Sequence, residues 1–418
     1  MLSDYRAPAE RVIFVALGAF VLHVLSRKIG VETADASAYI AIANGLPTLQ
    51  PFADRWLIPR VAGWISSGAA IDLVSAFQLV KLCALVTFLW FANGILEHLG
   101  TQRYASFFVL LASPFARNLY ELTYIPDLEA VALLAGAVYS LLIGRFVPYL
   151  SLLFLAILAR ETALVAAAII GAAAVARGEA SWAIGTTVVG LAAFVTKGAF
   201  RGDTLGNIHE MNAVLYMVLK IPVNAIANWV GIRFYTPTGL TCEPRWFSVA
   251  IPAEVFGNLK GGIQWIGLCY PDIEWVTRTL VLSLAPFGVG MGVAFVAILR
   301  GQAARGLDAE RRGAGLASAV GGALWVLGTM SGTWIDRLVA AGWMLPCLWL
   351  AETLSNPKIS AVRKWSICAA HALAGYGLFE LMDERLIGGA IWYVGCGLVV
   401  ITQFVAGMAA TLHEVREK

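Results

Sequence analysis

Between Leu73 and Leu96 the chain reads LVSAFQLVKLCALVTFLWFANGIL. This predominantly apolar run is longer than the roughly 20 residues that carry an α-helix across a bilayer. Eleven further stretches repeat the pattern wholly or in part. On the amino-terminal side of the long loop they are Val12–Leu25, Tyr104–Phe115, Leu128–Ile143, Leu150–Leu158, Thr162–Val175 and Trp182–Val195. On the carboxy-terminal side they are Val276–Leu299, Ala314–Met330, Leu338–Leu350, Ile367–Leu381 and Ile391–Ala409. The expected fold is an all-α polytopic membrane protein of about ten to twelve transmembrane helices, a single domain over 1–418. Leu150–Leu158 and Thr162–Val175 meet at Arg160-Glu161 and are read as two half-length segments with a charged elbow.

Composition agrees. Of 418 residues, 59% are hydrophobic and 14% charged, against about 45–50% and 25% in soluble domains. Mean hydropathy is +0.75. A net charge of +3 without a basic block argues against a nucleic-acid partner. No CxxC or Cys/His spacing points to zinc, and the five His are dispersed, so neither a metal nor a cofactor is expected. Cys83, Cys347, Cys368 and Cys396 lie in apolar runs and read as small hydrophobes. Cys242 and Cys269 fall in the long loop, where a disulfide depends on an oxidising compartment. Arg27 and Lys28 follow the first apolar run where a signal peptide is neutral, so that run is read as a retained helix.

Placing both termini in the cytoplasm puts Arg6, Arg11, Arg103, Arg145, Arg177, Lys358, Arg363, Lys364, Arg416 and Lys418 inside. The cluster Arg300, Arg305, Arg311 and Arg312 joins them. The opposite face then holds 27–56, the turn 113–127 and the long extracytoplasmic loop 201–275. Ala and Gly usage fits a bacterium; with this orientation the expected location is the inner membrane, the outer face turned to the periplasm. Within the loop, 212–230 reads as an amphipathic surface helix that Pro222 kinks or breaks.

Charged residues at membrane-helix ends need a partner or a purpose. Asp35 and Tyr39 lead a short helix ending at Asn44-Gly45. Pro51-Phe52-Ala53-Asp54-Arg55-Trp56-Leu57-Ile58-Pro59 then presents an arginine at the next helix entrance. Arg160-Glu161-Thr162 and Asp336-Arg337 mark two more outer ends. A carboxylate can deprotonate a hydroxyl nucleophile, and arginine forks can hold a departing phosphate. Asp35, with Asp54 second, can supply such a base, and Arg55, Arg160 and Arg337 can supply such a grip on phosphate. Tyr39, Glu121, Asp127, Glu161 and His209 are placed on the acceptor side or behind the reacting groups.

Each assignment has a plainer rival. Asp35 also suits an N-cap for 36–44, Asp54 a partner for Arg55, Arg160 for Glu161, and Arg337 for Asp336. Glu121 and Asp127 either line the acceptor site or cap the helix from Leu128. Arg117, Lys197 and Arg201 read as snorkelling interfacial residues.

The spacing Asp-x-x-x-Tyr-x-x-Ile-Ala-x-Gly over 35–45, then Pro-Phe-x-x-Arg-x-Leu-x-Pro over 51–59, then Arg160-Glu161-Thr162, resembles the integral-membrane glycosyltransferases of the GT-C superfamily. The likeness covers roughly the first 180 residues at motif level; the chain has no Asp-x-Asp or Glu-x-Asp pair. It implies a polyprenyl-phosphate sugar donor, an extracytoplasmic glycan, glycolipid or protein acceptor, Asp35 as general base and no metal. A lone carboxylate implies a single inverting displacement. Two other readings remain: a lipid-linked sugar flippase or transporter, and an O-antigen polymerase or ligase relying on Arg233, Arg245 and Lys260.

Overall fold

The computed structural model describes residues 3–26, 35–200, 204–207, 213–232, 234–235, 245–250, 265–299, 312–332, 335–378 and 389–411. Eighteen α-helices are named along them. The first ten are α1 Ser3–Leu25, α2 Ala36–Ala43, α3 Leu57–Ala69, α4 Leu73–His98, α5 Arg103–Ala112, α6 Phe115–Glu121, α7 Asp127–Leu142, α8 Phe146–Ala159, α9 Ala163–Ala176 and α10 Ala180–Phe200. The rest are α11 Ala213–Val230, α12 Ile273–Leu284, α13 Gly290–Leu299, α14 Arg312–Met330, α15 Ile335–Val339, α16 Met344–Ser355, α17 Ala361–Ala372 and α18 Gly389–Thr411. Among the described residues, four helices are long and apolar enough to cross a membrane, or six if each bent pair is one span. This describes a multi-pass helical membrane protein.

Three further apolar helices, α5, α8 and α9, are shorter. Segments α8 and α9 are 14 residues each, about 21 Å at 1.5 Å per residue, against a hydrocarbon core of about 30 Å. They form the expected two half-length helices, with Arg160 in extended backbone at the elbow. The expected single helix over Val276–Leu299 is instead α12 and α13 with a 95° bend, and α15–α16 bend by 60°.

Two ends of the bundle are set by contacts that fix helix direction. On α4 and α7, Lys81 meets Glu129 at 2.9 Å, while Gly94 lies against Tyr139 further along both. The two helices therefore run parallel, away from what we call the rim and toward the base. The α8–α9 elbow returns to the rim, because Glu161 lies 3.5 Å from Lys197 near the end of α10. At the base Arg11 pairs with Glu97 at 2.6 Å and Arg103 with Glu10 at 2.7 Å. Gly313, early in α14, sits against Leu99 and Leu142 there.

The bend after α12 occurs where a transmembrane helix can least leave its backbone unpaired. Gly288 adopts φ +53°, and side chains from the last helices take over the freed groups. Val289 N–H donates to His371 Nδ1 at 3.2 Å, Gln403 Nε2 donates to the Gly288 carbonyl, and Gly292 N–H donates to Gln403 Oε1 at 2.8 Å. Since Nδ1 accepts, Nε2 carries the imidazole proton toward Ser113 Oγ, 3.3 Å away. A Cβ at Gly288 would stand 2.1 Å from His371 Nδ1. Gly288→Ala therefore combines backbone strain with overpacking and costs about 3 kcal/mol or more. A thermal melt in detergent reads this directly; an unshifted midpoint would show that the break is not held as described.

Strands are an addition to the all-α expectation. Parallel strands β1 Thr48–Gln50 and β2 Thr204–Asn207 pair from Thr48↔Thr204. A second sheet has the order β3 Phe234–Tyr235, β5 Trp265–Cys269, β4 Arg245–Ala250, antiparallel throughout. The aromatic and β-branched residues of 245–250 and 265–269 suit strands once a partner is supplied. Pro222 does not break α11, which runs as one helix through it. Its far end docks on α12 and α14: Asn228 Nδ2 donates to the Thr329 carbonyl at 2.8 Å, and Trp275 Nε1 donates to Asn228 Oδ1 at 3.0 Å. These contacts tie the described parts of 201–275 to the rim. Arg201, His209, Arg233, Cys242 and Lys260 lie outside the described residues, so the calls on them, and on a Cys242–Cys269 disulfide, are not addressed. Cys83, Cys347, Cys368 and Cys396 are free thiols; Cys347 and Cys396 are buried, whereas Cys83 is exposed on α4.

Candidate functional site

The rim gathers side chains that are far apart in sequence. Tyr39 sits on α2, fully buried, with its ring edge against Phe52 at 5.6 Å. The short 3-10 turn Phe52–Arg55 delivers Arg55, whose Nη1 donates to Tyr39 Oη at 3.1 Å. Arg55 Nε donates to Glu161 Oε2 at 3.1 Å, and its Nη2 meets the other carboxylate oxygen. This is the two-pronged geometry in which arginine grips a carboxylate most firmly. Lys197 Nζ approaches the same carboxylate at 3.5 Å.

The elbow at Arg160-Glu161 turns these neighbours to different partners. Glu161 faces Arg55 and Lys197, while Arg160 Nη1 pairs with Asp127 Oδ1 at the start of α7. Asp127 also receives Arg337, whose Nε lies 3.0 Å from its second oxygen. The same guanidinium reaches Asp35 Oδ2 through Nη1 at 3.3 Å. Arg337 thus bridges a buried carboxylate and a partly open one. Gly328 helps put it there: a Cβ would come within 2.7 Å of the Leu338 carbonyl carbon, so only glycine lets the two backbones approach this closely.

These contacts bear on the plainer readings of several residues. Asp35 occupies the N-cap position of α2 but makes no side-chain cap hydrogen bond. Arg55 takes Glu161 and Tyr39 as partners. Arg160 takes Asp127 instead of its neighbour Glu161, and Arg337 takes Asp35 and Asp127. Asp127 lies in the first turn of α7 and binds two arginines. Lys197 and Arg117 are buried and ion-paired instead of snorkelling, Arg117 Nε lying 3.5 Å from Glu121. Glu121 belongs to that separate pair on α6, beside Tyr376, whose ring Arg117 overlies at 5.1 Å. Asp54 is half-buried and acts electrostatically on Lys197.

Beneath the cluster lies a pair the sequence reading missed. Lys81, fully buried on α4, donates to the Ile125 carbonyl and to Glu129 Oε2, the latter at 2.9 Å. Ile125 is two residues before Asp127, so Lys81 pins the turn that presents this carboxylate. A lysine inside the run Leu73–Leu96 is the signal that could have found it, because an ion in hydrocarbon requires a partner. Lys81→Met alone strands Glu129 and costs about 3–5 kcal/mol, whereas Lys81→Met with Glu129→Leu recovers most of that. Melting the single and double variants tests this; equal losses in both would contradict it.

The cations and Asp127 are buried, while two carboxylates are open. Arg55, Arg160, Arg337 and Lys197 side chains are all under one-tenth exposed, whereas those of Asp35 and Glu161 are 29% and 42% exposed. Each arginine has a carboxylate partner, and Glu161 is the most open of those carboxylates. Among the described residues no group of His, Cys, Asp and Glu is arranged to hold a metal ion.

Fold and site together define a multi-pass helical membrane protein with an interlocked carboxylate–guanidinium network at one end of its bundle. No protein-family model matches the chain, and no curated protein and no solved structure matches it either.

Proposed function

We propose that the protein transfers a sugar from a polyprenyl-phosphate donor to a hydroxyl of an extracytoplasmic glycan, glycolipid or protein, with inversion at the anomeric carbon. Asp35 takes the acceptor proton as the new C–O bond forms and the bond to the donor phosphate breaks. The leaving phosphate takes the place of Glu161 on Arg55, with Arg160 and Arg337 adding positive charge from behind. The reading is supported above all by the bridge from Asp35 through Arg337 to Asp127 and Arg160. It joins a partly open carboxylate to the cations that a phosphate leaving group requires. The donor class rests on the resemblance of 35–59 and 160–162 to GT-C enzymes. The test is purified protein, a radiolabelled polyprenyl-phosphate sugar and cell-envelope extract. Label must move to an acceptor with release of lipid phosphate.

One observation favours a second reading, a lipid-linked sugar flippase or transporter. The Lys81–Glu129 pair lies below the rim, inside the bundle, and two helix pairs are broken. Both bent pairs fall in the second half of the chain; the short pair α8–α9 in the first half turns back at the rim and so differs from them in form, whereas inverted repeats would place matching breaks in both halves. A flippase moves donor across vesicles and leaves its phosphate–sugar bond intact, so the same assay separates the two.

A further inference from the structure

At the base, opposite the charged network, a cleft of about 630 Å³ opens between five segments of the bundle. That volume lies within the range of ordinary small-ligand sites. Its lining comes from the turn after α4, the end of α7, the α9–α10 turn, the start of α14 and the last turn of α16. We infer that this cleft is a binding site for the headgroup of a zwitterionic phospholipid bearing a primary amine.

Depth is the first argument. Three of the four helices able to span a membrane, Leu73–His98, Ala180–Phe200 and Gly313–Met330, have an end at the cleft. It therefore sits where their apolar lengths stop, at headgroup level.

Charge is the second. Arg177 and His98 offer donors to a phosphodiester, and Glu179 and Glu352 offer acceptors to an ammonium. Arg177 and Glu179 are held 3.2 Å apart across the α9–α10 turn with side chains 27% and 41% exposed, so both remain open to a ligand. The helices α4, α7, α9 and α16 all end here, at His98, Leu142, Ala176 and Ser355. These four carboxy ends outnumber the two amino ends beside the cleft, those of α10 at Ala180 and α14 at Arg312, so on balance the helix dipoles favour a cation over a bare anion. A bare cation in turn meets Arg177. A zwitterion satisfies both conditions.

The third argument separates a lipid from a free headgroup. Leu99, Leu141, Leu142 and Leu316 line the cleft together with its charged residues. They give the first part of an acyl chain an apolar footing that a free headgroup would leave uncovered.

Native mass spectrometry of the full-length, delipidated protein in detergent tests the assignment. The probes are added palmitoyl-oleoyl phosphatidylethanolamine, palmitoyl-oleoyl phosphatidylglycerol and soluble glycerophosphoethanolamine. We expect at least a tenfold preference for the ethanolamine lipid over the glycerol lipid. Arg177→Gln should weaken its retention about tenfold and Glu352→Gln should erase the preference, with thermal midpoints unchanged in lipid-free detergent. Equal retention of the two lipids overturns the proposal, as does unaltered retention in both variants. Efficient competition by glycerophosphoethanolamine overturns the lipid assignment in favour of a soluble phosphodiester. If a variant fails to fold, the lipid preference of the unmodified protein decides alone.

Discussion

Asp35→Asn is expected to reduce sugar transfer by about 10²- to 10⁴-fold, the range for losing a positioned general base. The amide is nearly isosteric with the carboxylate but cannot take the acceptor proton. Stability should survive, because Arg337 keeps its other partner, Asp127, at 3.0 Å. The Asp35 side chain is also 29% exposed, so the change strands no deeply buried charge. Initial rates with labelled donor, set beside a thermal melt of the same preparation, separate chemistry from folding. Undiminished transfer in a folded Asp35→Asn protein would remove Asp35 as the base and leave Asp54 as the next carboxylate to examine.

The opposite profile is expected for Asp127→Asn. Here one buried carboxylate, 3% exposed, answers two buried arginines, Arg160 and Arg337. Removing one member of a buried ion pair typically costs about 3–5 kcal/mol, because the surviving charge keeps its desolvation penalty without its partner. With two guanidiniums stranded the loss belongs at the upper end of that range. It should appear as a large fall in thermal midpoint and in the yield of folded protein. Glu161→Gln is the control: its carboxylate is 42% exposed, so Arg55 and Lys197 can recruit water more readily and the fall is smaller. A melt of Asp127→Asn matching the unmodified protein would mean that the two arginines are not held through this carboxylate.

The site candidates were legible in unequal measure. Asp35, Arg55, Arg160, Glu161 and Arg337 stand out because charge beside apolar runs is costly, and the structure gathers them into two groups that adjoin at Arg160-Glu161, Arg55 with Glu161 and Tyr39, and Arg160 and Arg337 with Asp127 and Asp35. Their partners were not legible. Adjacent pairs such as Arg160-Glu161 and Asp336-Arg337 invite a local reading, yet Arg160 and Arg337 both reach across the bundle to Asp127. Lys81 escaped because a single lysine barely lowers the hydropathy of so long a run. His371 and Gln403 escaped because their purpose is created by a helix break at Gly288 that the apolar run over 276–299 conceals.

Sequence alone determined the helical, membrane-embedded character of the chain, since hydrocarbon length and backbone satisfaction admit few alternatives to long apolar helices. It also determined the half-length pair around Arg160-Glu161, where two charges interrupt the apolar run. Only the tertiary structure decided which charges meet, where α12 and α13 part, and that 234–235, 245–250 and 265–269 form a sheet. Ion pairing and strand pairing depend on distance in space, and residues 302 apart in sequence, such as Asp35 and Arg337, become neighbours only once the helices have packed.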